Sequence, residues 1–182
     1  ISFSSASLDS AGTVTSAFIT PHRKIFPSIL ASPGTVTDCT GLTGGSASIT
    51  SGYIRSTKLT ASASFTVDKI RATLSSVAGN VKFSIYSDDS NSPNALLATT
   101  GSKTAVDGEN DYDLSSSYEV VESTAYWISI QASDEVDSVS GGPVARANAY
   151  AGAGSLAFAT TPNPYPSPSY DTNGFQFCIT NE

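Results

Sequence analysis

The sequence predicts an all-β protein, and three observations predict it. Apolar and polar residues alternate with a period of two along most of the chain after about residue 47, the pattern of strands with one buried face. Turn signals recur about every 8 to 12 residues, and no stretch sustains the 3.6-residue period of a helix. The 182 residues are also rich in Ser, Thr, Ala and Val, carry only 14% charged residues and contain no Met; helix formers are scarce and strand formers common. The expected architecture is a two-sheet antiparallel, jelly-roll-like β-sandwich over residues 46–182, preceded by an N-terminal extended arm over residues 1–45.

The arm differs from the rest of the chain because its apolar residues, among them Ile1, Phe3, Leu8, Val14 and Phe18, do not settle into one alternating face. Beyond them come Ile25, Phe26, Ile29 and Leu30, which Pro21, Pro27 and Pro33 interrupt. Ile1 to Leu8 and Thr13 to Ile19 can each be an extended strand. Such a strand pairs either with its own sheet or with a neighbouring copy's, and both remain open at this level. The chain starts at Ile1 without a basic and apolar leader, which reads as either a processed mature chain or an excised module.

Within the sandwich, Leu59, Ala61, Ala63, Phe65 and Val67 share one parity, while Ile70, Ala72 and Leu74 share the other. A bulge or short turn near Asp68-Lys69 must re-aim the face. Gly79-Asn80 then reads as a tight turn closing a hairpin, with Val81, Phe83 and Ile85 on one face of the next strand and Lys82, Ser84 and Tyr86 on the other. Asp88 to Asn94 is a turn cluster, and Ala95 to Thr99 a short strand. An acidic loop with Gly108 in it precedes Tyr112 and Leu114. In the run after Tyr118, the even residues Tyr126, Ile128 and Ile130 read as core, which leaves Trp127, Ser129 and Gln131 on the opposite face. Thr161 to Pro168, with proline at every second position from Pro162, is a stiff extended stretch, and Phe175, Phe177 and Ile179 form the last strand with Cys178 facing the other way.

Charge and length exclude several functions. Nine Lys+Arg against sixteen Asp+Glu give −7, opposite to the basic footprint that a nucleic-acid partner requires. No window approaches 18 consecutive apolar residues, so no helical membrane span is expected. The only imidazole, His22, lies in the irregular N-terminal region, and no GxSxG is present; with no carboxylate pair marked out either, the chain reads as a non-enzyme.

Cys39 and Cys178 have no CxxC or His-rich neighbourhood, so zinc spacing is absent. As a disulfide they would tie the N-terminal region to the last strand; the alternative is two unpaired thiols, and an oxidising compartment favours the bridge. Asp107, Glu109, Asp111 and Asp113 place four carboxylates within seven residues, a hard-oxygen set that would suit calcium, against a plain solvated loop. For sugars, aromatic rings supply stacking faces and amides or carboxylates read hydroxyls. Trp127, Tyr165 and Tyr170 are the stacking candidates, with Asn163 and Asp171 as polar partners, and burial of Trp127 or loop packing of the tyrosines is the alternative.

From Lys69 to about Pro168 the order of motifs resembles β-sandwich modules of phage tail and fibre proteins and of non-catalytic modules beside carbohydrate-active enzymes. The motifs are Val81-Lys-Phe-Ser-Ile-Tyr86-Ser-Asp88, Asn91-Ser-Pro93-Asn-Ala-Leu96-Leu97-Ala98, Leu114 to Val121, Thr124-Ala-Tyr126-Trp127-Ile-Ser-Ile130 and the loop Pro162 to Pro168. The resemblance implies that the first two form a hairpin, that the Tyr-Trp strand lies in the core sheets, and that the module binds glycans or decorates a surface without catalysis. Ser123-Thr124-Ala125 stands where such modules often carry a Gly. Together these readings predict a secreted structural surface protein at an extracellular, cell or virion surface. It would be a subunit of a filament or virion that assembles with copies of itself through edge strands and the arm. The alternative is an adhesion module for cell-surface glycans.

Overall fold

The computed structural model describes residues 34–42, 45–141, 146–150, 156–171 and 174–182, with backbone alone considered for 141, 146–150 and 171. The arm candidates Ile1, Phe3, Leu8, Val14 and Phe18, together with His22, lie outside the described residues. The larger compact unit begins at Thr35.

The described residues contain strands and no helix. In chain order the strands are β1 (Thr37–Cys39), β2 (Gly45–Ile49), β3 (Tyr53–Thr60), β4 (Phe65–Ser75), β5 (Asn80–Asp89), β6 (Ser92–Thr99) and β7 (Lys103–Thr104). They continue with β8 (Gly108–Val120), β9 (Ala125–Ala132), β10 (Val136–Gly141), β11 (Arg146–Tyr150), β12 (Ser169–Asp171), β13 (Gly174–Phe175) and β14 (Phe177–Thr180). One sheet runs β1-β14-β4-β10-β13, with β2 on β10 and β8 on β4; the other runs β12-β11-β3-β9-β5-β6, with β7 on β5. Every pairing is antiparallel, so the protein is an all-β two-sheet sandwich.

The main core lies between the sheets. Phe65, Val67, Ile70, Leu74, Tyr112, Phe175, Phe177 and Ile179 from the first sheet meet Leu59, Val81, Phe83, Ile85, Tyr126, Ile128 and Ile130 from the second. Each set is one parity of its strand, as a period of two demands. The expected face change near Asp68 is present: register shifts between Val67 and Lys69, because residues 114–117 of β8 oppose Asp68 alone. Both halves of β4 thereby keep their apolar side chains on the core.

Two local expectations are corrected. The run Leu59 to Val67 is not one strand: Leu59 lies in β3, which ends at Thr60 in one sheet, and Phe65 opens β4 in the other. The segment ending at Gly79-Asn80 is not a hairpin turn either, since β4 and β5 lie in opposite sheets. Left-handed Ser76 (φ 51°) and Gly79 (φ 65°) instead carry the chain across the sandwich. The inner faces of opposed sheets have the same polarity pattern, so alternation alone does not assign a strand to a sheet. The hairpin that the resemblance implies, β5 with β6, is present, its two-residue turn formed by Ser90 and Asn91 in left-handed conformations. The Tyr-Trp strand, β9, pairs with β3 and β5 inside its sheet. Just before it, Ser123 adopts φ 61°, the backbone region that glycine enters without strain.

Candidate functional site

Three surfaces bear on function: a strap across the second sheet, a polar and aromatic corner beside it, and the free edges of the strands.

The strap is the proline-rich stretch. Its residues 156–165 lie over the outward face of the second sheet, where Leu156 and Tyr165 join Ile54, Tyr86, Trp127 and the half-buried Leu96 in a smaller apolar cluster. Donors rising from the sheet satisfy carbonyls of the strap. Lys82 Nζ donates to the Phe158 carbonyl, Gln131 Nε2 to that of Thr160 (3.4 Å) and Tyr86 Oη to that of Pro162 (2.8 Å). Tyr165 is buried; its hydroxyl accepts from Ser56 Oγ (2.8 Å) and donates to the Ile54 carbonyl (3.3 Å), and its ring meets Tyr86 edge-on at 5.0 Å. Burial raises the hydroxyl pKa of Tyr86 and Tyr165 and lowers that of the Lys82 ammonium.

Trp127 is fully buried beneath this cover. Its indole N–H donates to Asp88 Oδ1 at 2.7 Å, and Lys58 Nζ contacts the same oxygen at 3.0 Å while donating to Asn91 Oδ1 at 2.8 Å. Burial acts to raise the Asp88 pKa, but the bonds from Trp127 and Lys58, the lysine charge and the Asn91 amide outweigh it and hold the carboxyl below its ordinary value. Of the three proposed stacking residues only Tyr170 presents a face, at 55% exposure. Its hydroxyl bonds Ser92 Oγ at 2.8 Å, and its ring lies 6.5 Å from that of Trp127 at a tilt of 54°. Trp127 and Tyr165 are therefore corrected from stacking residues to supports, because the strap supplies the apolar cover that the outward face of β9 lacks within its own strand. Asn163 is also engaged, its Oδ1 accepting from the Leu96 amide at 3.1 Å; the Asp171 side chain lies outside the described residues.

The four carboxylates do not share one loop. Glu109, Asp111 and Asp113 lie on β8, a strand rather than the expected loop, directly opposite Thr73, Arg71 and Lys69 of β4. Asp111 is held by Arg71 through two bonds, of 2.6 and 2.8 Å, and Arg71 also reaches Glu182 at 3.1 Å. These bonds lower the Asp111 pKa. Among the described residues no group of three or more His, Cys, Asp or Glu is arranged to hold a metal ion. The basic partners on β4 were the missing signal, and only the strand register reveals them.

Cys39 and Cys178 form a disulfide, as expected, and sit directly opposite one another in the β1–β14 ladder.

Among the described residues, seven strands pair on one side only: β1, β2, β6, β7, β8, β12 and β13. Six of them carry a feature that discourages a further strand. β8 has its acids and the four-residue bulge, and β6 has Pro93. The short β7 has Lys103, β1 has Asp38, and β12 follows Pro166 and Pro168 and ends at Asp171. β13 is two residues long, and the Phe175 amide and carbonyl are taken by the hydroxyls of Thr57 and Thr40. β2, Gly45-Ser-Ala-Ser-Ile49, has no charge, no proline and an unbroken register with β10.

The chain matches no protein-family model, and no curated protein matches it.

Proposed function

We propose that this protein is a non-catalytic structural surface protein, a self-assembling subunit of an extracellular filament or virion surface joined through strand edges. The observation that carries this reading is the edge of β2, which among the described residues has no partner and no protecting feature, in a sandwich whose other one-sided strands carry acids, lysine, proline, a bulge or side-chain partners for their backbone. A bare edge offers unpaired amides and carbonyls in a regular row, which is what strand addition between subunits uses. The Cys39–Cys178 disulfide supports an oxidising, extracellular setting. Negative-stain electron microscopy of the purified chain tests the reading: filaments or regular particles are expected, and a monodisperse monomer at every concentration and salt tried would overturn it.

A glycan-binding role is the second reading, favoured by the corner where the exposed Tyr170 is bonded to Ser92, next in sequence to Asn91 of the β5–β6 turn. A glycan array tests it with Tyr170→Ala as the variant, since the Tyr170 ring is exposed and that of Trp127 is not. Binding that survives Tyr170→Ala would remove this corner from the account.

A further inference from the structure

The groups that β2 leaves free can be identified. Along an antiparallel strand, the N–H and C=O of successive residues point alternately to its two sides. The amide of Gln176 donates to the Val139 carbonyl at 2.9 Å, so Val139 of β10 turns its backbone groups toward β13. The residue opposite Val139 in β2 is Ser46, and that pair is consequently not hydrogen-bonded. It follows that Ser46 and, two residues on, Ser48 direct their N–H and C=O away from β10, while Gly45, Ala47 and Ile49 bond to it. The strand is also small where it meets the edge of the core, with Ala47 half-buried against the apolar interior. An incoming strand would find two donors and two acceptors.

We propose that this edge accepts residues Thr13 to Ile19 of a second copy of the chain as an added strand, an inference that rests on the assembly reading above. Thr13-Val-Thr-Ser-Ala-Phe-Ile19 has no charge and no proline, and four of its seven residues are β-branched. Its alternation places Val14, Ser16 and Phe18 on one face, to lie beside Ala47, and Thr13, Thr15, Ala17 and Ile19 on the other, beside Ser46 and Ser48. Neither strand carries a charge that would oppose the pairing.

The test uses the full chain. Ser46→Pro removes one outward amide and leaves the bonds to β10 intact, so the melting midpoint should hold while assembly weakens about tenfold or more; Ser46→Ala should assemble as the parent does. A second measurement pairs Ser46→Cys with Thr15→Cys or Ala17→Cys and follows crosslinking on non-reducing gels. A ladder of multiples of the chain is expected. Crosslinks confined to single chains would overturn the exchange between copies, and no crosslink with either partner would overturn the edge. Failure of the parent to assemble would instead defeat the assembly reading, while assembly unaffected by Ser46→Pro would leave that reading standing and refute β2 as the acceptor.

Discussion

Reducing or removing the Cys39–Cys178 bridge should cost more stability than any other single change to the sandwich. The bridge spans 139 residues of sequence. In the chain-entropy treatment a closed loop of that length restricts the unfolded chain by about 5 kcal/mol at 25 °C. For a domain of this size, 1 kcal/mol moves the melting midpoint by about 2–4 °C, so the expected fall is about 10–20 °C. β1 is three residues long and pairs only with β14, helped by the Asn181 carboxamide accepting from the Val36 amide (2.7 Å) and by Thr37 with Thr180 (3.1 Å). Cys39 is exposed, so a mild reductant should reach the bridge without prior unfolding. The assay is thermal circular dichroism of the oxidised chain, the chain in reductant and a Cys39→Ala/Cys178→Ala variant. A fall below about 4 °C in both reduced forms would show that loop closure is not what the bridge contributes, and would refute the argument.

Tyr165→Phe removes the hydroxyl between Ser56 and the Ile54 carbonyl and should cost about 1–3 kcal/mol in urea unfolding; an unchanged midpoint would mean that the strap does not depend on this anchor. Trp127→Ala should destabilise by about 3–5 kcal/mol, because it empties a fully buried site and leaves Asp88 without its indole donor; a variant as stable as the parent would contradict the burial. Asp88 and Asp111 have pKa values below their unfolded ones, so their contribution is present above about pH 4 and is lost as pH falls through the folded values. Melting midpoints between pH 5 and 2 should therefore fall less steeply for Asp88→Asn or Asp111→Asn than for the parent, and parallel curves would count against these ion pairs. Gly79→Ala should lower stability by at least about 1–2 kcal/mol, since the residue is left-handed and a Cβ there collides with the Asp134 and Ser133 side chains; a neutral result in chemical denaturation would show that this crossing relaxes freely.

The sequence by itself determined the all-β class, the core-facing parity of β4, β5, β9 and β14, and the bulge at Asp68. These depend on a residue's immediate neighbours: period-two alternation records which side of a strand is dry, and a parity break must be absorbed locally. The pairing of the only two cysteines was legible for a related reason, since few alternatives existed. What alternation does not encode is which sheet a strand joins and what covers its other face. Leu59 and Phe65 read as one run yet lie in opposed sheets, and Glu109, Asp111 and Asp113 read as a loop until β4 placed Lys69 and Arg71 opposite. Trp127 had the parity of a surface residue and became interior only because a strap more than 25 residues later in the chain lies over it. Long-range pairing and cover depend on the whole assembly of strands competing for the same edges and faces, so the tertiary structure alone decided, among the described residues, which of the stacking candidates is exposed and which strand edge carries no protection.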